Sequence, residues 1–173
     1  MEKVKEVPYG VADFVMVMEQ NLYYVDKTMF IPELEKQPRN LFFIRPRRFG
    51  KSIFLSMLHS YYDCNQSAKF QSLFGNLWIG QHPTESQGKY QVLFLDFSQV
   101  SGNIDSLERN FDFYCSVKLD GFMRRYGESF SEETREKVRK AEFAMDKLAF
   151  IHDEAAQKGF SLYLIVDEYD NFT

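Results

Sequence analysis

Three short apolar runs restrict the folds open to this sequence more than any other feature. They are Leu41-Phe42-Phe43-Ile44, Val92-Leu93-Phe94-Leu95-Asp96-Phe97 and Leu162-Tyr163-Leu164-Ile165-Val166. Each is too short for a buried helix and lacks polar alternation, the pattern of a strand covered on both faces. After the first run, Phe54, Leu55, Leu58 and Tyr62 recur at three- and four-residue spacing and predict a helix over about 51–62. After the second, Asp105 with Glu108 three residues on has the spacing of a capping box. It predicts a helix running to about Tyr126, where Gly127 stops it. A further helical tract, with a break, extends from Ser131 to Lys158-Gly159. Strands separated by helices imply a largely parallel sheet and an α/β architecture.

Composition narrows the function classes. The 173 residues suffice for one domain with a hydrophobic core, and 45% hydrophobic with 27% charged is ordinary for a soluble globular chain. Aromatics reach 17%, mostly Phe and Tyr, and a Phe-rich core accounts for them more simply than a base-stacking surface. The net charge of -4 argues against a nucleic-acid footprint spread over the whole domain. Cys64 and Cys115 form no redox or metal pair, and His59, His82 and His152 lack metal-ligand spacing. The charges of the first ten residues are not followed by an apolar segment, so no secretory signal is read there. No apolar run approaches the length that spans a bilayer, and a cytoplasmic location is the expectation.

The chemistry-bearing residues lie at the ends of the apolar runs. The first leads into Arg45-Pro46-Arg47-Arg48-Phe49-Gly50-Lys51-Ser52, directly before the expected helix. A bound phosphate needs backbone N–H groups aimed at it, and a helix start supplies them with a favourable dipole. A glycine allows close approach, a lysine reaches the β and γ phosphates, and a hydroxyl reaches Mg²⁺. Gly50, Lys51 and Ser52 meet these needs in the order of a Walker A loop, although Arg45 stands where that pattern has glycine. Taken alone, the tripeptide also fits a surface turn. The third run ends in Asp167-Glu168, the form of a Walker B strand. There an aspartate holds the metal and a neighbouring carboxylate orients the attacking water. Two such motifs in this order at strand C-termini point to a nucleotide site, because open α/β sheets bind ligands at that end.

An ordered series of segments then resembles one family. It comprises Tyr9-Gly10-Val11-Ala12-Asp13-Phe14, Tyr24-Val25-Asp26-Lys27-Thr28, the 45–52 loop, Leu95-Asp96-Phe97-Ser98 and Val166-Asp167-Glu168-Tyr169-Asp170. The series is similar to the predicted AAA-ATPase-like family, mainly bacterial P-loop proteins often fused to a C-terminal PD-(D/E)XK nuclease-like domain. Arg45 is normal for that family.

The resemblance implies a three-layer α/β/α P-loop fold of the AAA/RecA-like branch with a mostly parallel sheet. Residues 1–38 would lead into an ATPase domain whose N-terminal portion is 39–173. The sensor strand, helical lid and nuclease-like domain are expected beyond Thr173. The implied ligands are ATP and Mg²⁺. Arg47, Arg48, Phe49, Gly50, Lys51, Ser52 and Ile53 form the nucleotide loop. Ser52 and Asp167 hold the metal, and Lys51 and Glu168 act in catalysis.

The expected role is an ATP-hydrolysing switch or motor for an attached effector. The partners expected are nucleotide, further copies of the chain, and nucleic acid through a nuclease-like domain alone. The alternative is a degenerate P-loop scaffold that binds nucleotide weakly and mediates protein contacts.

Several residues carry more than one reading. Arg47 and Arg48 add charge near the phosphates, face solvent in the turn or bind an acidic partner. The Asp26-Lys27-Thr28 segment either seats the base or ribose or caps a helix over about 29–36. Asp96 either lies near the γ-phosphate or holds a turn, and Asp170 reads as structural. The mixed charges of 132–147 read as a solvated helix face.

Overall fold

The computed structural model describes residues 5–44, 46 and 49–170. The chain divides into two compact units, Met1–Lys89 and Tyr90–Thr173.

The first unit is helical. Its elements are α1 (Phe14–Glu19), α2 (Ile31–Glu35), α3 (Lys51–Tyr62), α4 (Phe70–Phe74) and α5 (Trp78–Gln81). Much of the aromatic surplus is packed here. Phe14 stacks on Phe74 with ring centres 5.0 Å apart, and Tyr61 meets Phe74 edge-on at 5.5 Å. Phe14, Met57, Tyr61, Tyr62 and Phe74 are buried. The buried tyrosines need partners for their hydroxyls and find them. Thr84 donates its backbone N–H to the Tyr61 hydroxyl at 2.9 Å, and Tyr62 donates to Glu35 Oε1 at 3.1 Å. Asp13 caps α1 by accepting from the Met16 N–H at 2.9 Å.

The 41–44 run departs from its expected strand. It is irregular backbone, and Leu41, Phe42 and Ile44 are exposed. An apolar run signals a demand for burial, whereas a strand also requires a neighbour for its N–H and C=O groups. Among the described residues, the only pairing partners are the two strands of the other unit, and they pair with each other.

The second unit holds β1 (Tyr90–Asp96), α6 (Ile104–Tyr126), α7 (Glu132–Lys140), α8 (Ala144–Lys158) and β2 (Ser161–Asp167). The strands are parallel and run in register from Tyr90 opposite Ser161 to Asp96 opposite Asp167. Two tyrosines of α6 serve β1. The Val92 N–H donates to the Tyr126 hydroxyl at 3.2 Å, and the Asp96 N–H to the Tyr114 hydroxyl at 2.7 Å. Phenols twelve residues apart on the helix thus supply acceptors that a further strand would otherwise provide.

Helix ends follow local chemistry. α6 is capped by Asn103, whose side chain accepts from the Ser106 N–H at 3.1 Å, and not by Asp105. The amide oxygen acts as cap two residues earlier, and Asp105 lies in the first turn, where its charge favours the dipole. The break in the second helical tract falls at 141–143. There α8 begins on a borrowed cap: Asp112 of α6 accepts from the Ala144 N–H at 2.8 Å. Gly159, left-handed at φ 73°, ends α8.

α7 is laced by surface ion pairs such as Lys137–Glu133. The solvated-face reading fails at Lys147, which is buried and places its ammonium 2.8 Å from Asp120 Oδ1. An ammonium in the interior requires a counter-charge, and α6 supplies it.

Candidate functional site

Glycine 50 sets the geometry of the first motif. At φ 77°, ψ 29° it occupies the left-handed region that a side chain disfavours, and it turns the backbone directly into α3 at Lys51. Its carbonyl accepts from the Phe54 N–H at 3.2 Å, closing the first helical turn. As N-cap it has no side chain to cover the amides of Lys51, Ser52 and Ile53. Such first-turn amides have no helical carbonyl to bind and face outward along the dipole. The arrangement suits an anion. Phe49 precedes it, 60% exposed, with its N–H 3.3 Å from the Pro46 carbonyl. Arg45, Arg47 and Arg48 lie outside the described residues.

The 26–28 segment has a definite structural task. Asp26 Oδ1 accepts from the backbone and hydroxyl of Thr28 at 2.8 and 2.7 Å, and Asp26 Oδ2 accepts from the Trp78 N–H at 2.7 Å. Thr28 Oγ1 in turn accepts from the Ile79 N–H at 3.1 Å. These two side chains therefore cap α5, across a sequence gap of about fifty residues, and Asp26 also holds the Thr28 N–H at the start of the stretch expected as a helix over 29–36. That stretch forms a 3-10 turn (Thr28–Phe30) followed by α2. Between them, Lys27 points elsewhere. A Cβ built on Gly50 would lie 3.4 Å from its Nζ, so the ammonium stands beside the loop. In the sequence Lys27 stands out only as part of its segment. Its chain separation from Gly50 gave no sign of the contact.

The second motif lies in the other unit. Asp167 ends β2 and is buried at 3% exposure, in register with Asp96 on β1. Glu168 follows at φ 51°, with its N–H 2.9 Å from Asp167 Oδ1. Asp96 Oδ1 accepts from the Ser98 N–H at 3.0 Å, which supports the turn-holding reading of that residue. Two aspartates at the C-terminal ends of adjacent parallel strands concentrate negative charge where a cation is stabilised. Among the described residues no three His, Cys, Asp or Glu side chains are gathered as a metal group. Lys51 and Ser52 thus belong to one unit, and Asp167 and Glu168 to the other.

Neither cysteine is poised for chemistry. Burial pushes both the Cys64 and Cys115 thiols up. Among the described residues no helix is long and apolar enough to cross a membrane.

A family model described as "Predicted AAA-ATPase" matches residues 8–173. A protein of Azotobacter chroococcum mcd 1, described as "Uncharacterized protein in vnfD 5'region", is 43% identical over 178 residues. The match covers 96% of this chain and 29% of that protein, so the chain spans less than a third of its relative's length. No solved structure matches the chain. The family match reaches from before α1 to beyond β2, and both motif-bearing segments fall inside it; the chain belongs to the predicted AAA-ATPase family.

Proposed function

We propose that this chain is the nucleotide-binding portion of an ATPase that binds ATP with Mg²⁺ and hydrolyses it. The observation that carries the reading is the start of α3, where left-handed Gly50 leads straight into Lys51-Ser52 without a capping side chain. Family membership supports nucleotide as the ligand class. Lys51 reaches the β and γ phosphates, while the amides of Gly50 to Ile53 cradle them, with Phe49 and the arginines Arg47 and Arg48 flanking. Ser52 and Asp167 hold the metal. Magnesium keeps several waters and takes only one or two protein ligands beside the phosphates, so a dense carboxylate cage is not required. Glu168 orients the attacking water.

The same reading places 39–173 in a three-layer P-loop domain, with residues 1–38 leading into it. The parallel pairing of β1 with β2 supports an AAA-like strand arrangement, and the edge of β2 remote from β1 is where further strands add. In the whole protein, turnover drives a switch or motor in the cytoplasm for an attached effector domain. Contacts with nucleic acid run through that effector.

The test is calorimetric titration of ATP with Mg²⁺ into the full-length protein beside a turnover assay. Lys51→Ala abolishes binding, and Glu168→Gln keeps binding while slowing hydrolysis by about 100-fold or more, the scale of a lost catalytic base. Full ATPase activity in both variants would sink the proposal. No binding by the folded parent would leave the degenerate scaffold.

A further inference from the structure

Beside Gly50 the first unit encloses a cavity of about 180 Å³. Its apolar walls are Phe30, Leu34, Phe43, Phe49 and Phe54, and the polar residues Glu33 and Gln37 also line it. Phe43 and Phe54 stack with ring centres 5.1 Å apart at 25°, presenting flat apolar surface. Phe30 and Phe49 are about half exposed or more, at 49% and 60%, although both border the cavity. Lys27 also lines it, with the ammonium on the Gly50 side. Among the described residues no hydrogen bond or ion pair engages that ammonium. The volume falls below the roughly 300 Å³ of pockets that take whole drug-sized ligands, so it suits one ring system.

We propose that this cavity seats the base of the bound nucleotide, with the Lys27 ammonium at the junction between base and phosphates. The inference rests on the nucleotide reading above, and it assigns a place to the part of the ligand that the two motifs leave unassigned. Flat aromatic walls stack a base without regard to its identity. Gln37 offers both a donor and an acceptor to a heterocycle edge. The phosphates remain outside, at the start of α3, because Gly50 borders the cavity and a volume of about 180 Å³ filled by the base leaves no room for them. Lys27 then supplies a positive charge to the phosphate chain from a segment that the Asp26–Trp78 hydrogen bond holds fixed.

The experiment compares ATP with inorganic tripolyphosphate, each titrated with Mg²⁺ into the full-length protein. Leu34→Trp fills the cavity. It weakens ATP binding by about tenfold or more, the scale of one lost base–aromatic stack, and leaves tripolyphosphate binding unchanged. Lys27→Met weakens both ligands. A conservative reporter guards against damage to the fold: in Phe30→Trp, emission above the Trp78 background shifts with ATP and not with tripolyphosphate.

An unchanged ATP affinity in Leu34→Trp would overturn the base pocket, as would equal weakening of both ligands with a silent reporter. Tripolyphosphate binding as tightly as ATP would remove the base pocket alone. Unchanged binding of both ligands by Lys27→Met would remove the lysine from the site. Failure of both ligands to bind the parent would remove the nucleotide reading together with this one.

Discussion

Glutamate 168 sits at φ 51°, in the left-handed region where an L side chain crowds its own carbonyl. Such strain persists where surrounding structure imposes it, and it concentrates at functional positions. Here the Glu168 N–H bonds to Asp167 Oδ1 and ties the turn to the end of β2. Replacing the residue with glycine separates the two contributions. Glu168→Gly is expected to raise stability by up to about 1 kcal/mol, read from denaturant midpoints at constant m-value, while hydrolysis in the full-length protein falls as in Glu168→Gln. A loss of stability would mean that the carboxylate itself holds the turn. Local pattern made the turn at Gly50 into α3 legible, because a glycine directly before an apolar-periodic stretch is a short-range signal. The partners of Asp26 and Thr28 were not, since their bonds to Trp78 and Ile79 cross a long stretch of chain that no spacing rule reaches. Lys27 was hidden for the same reason.

Helices and strands were read best where their own periodicity decides them. α3 spans 51–62, as its apolar spacing predicts, and the runs at 92–97 and 162–166 became β1 and β2 within a few residues. The 41–44 run failed because pairing, unlike burial demand, is not written in the run itself. Between elements, Glu154 does the joining. From α8 its Oε1 accepts from the Ser131 N–H at 2.8 Å and its Oε2 from the Ser131 hydroxyl at 3.0 Å, while Ser131 caps α7. Lys158 stands 2.7 Å from the same carboxylate. Burial pushes this carboxyl up, but the hydrogen bonds from Lys158, Thr134 and Ser131 outweigh it and hold the group at about 2. The ordinary glutamate value is about 4.3, so the folded state binds this proton more weakly than the unfolded chain. The stabilisation is therefore complete above about pH 4.5 and is lost as pH falls toward 2. Equilibrium unfolding from pH 6 down to 2 should show Glu154→Gln destabilised at the upper end, with the two curves converging in acid. Parallel curves over that range would exclude the carboxylate as the source.

At the scale of the molecule, the second unit presents a sheet face that is only partly covered. A cavity of about 460 Å³ opens there, lined by Leu93, Leu119, Phe122, Met145, Leu148 and Leu164 among others. Leu164 is 55% exposed and Met145 80%. Apolar area of this kind on a strand edge invites self-association. Leu164→Lys in the 173-residue chain is expected to lower binding of a hydrophobic dye and to shift light-scattering mass toward monomer, with β2 retained by circular dichroism. Unchanged association would place the adhesive surface elsewhere. The hydroxyls of Tyr114 and Tyr126 have a counterpart consequence. By occupying the Val92 and Asp96 amides of β1 they make the sheet directional: a further strand would find its free edge along Ser161–Asp167 and not on the α6 side of β1.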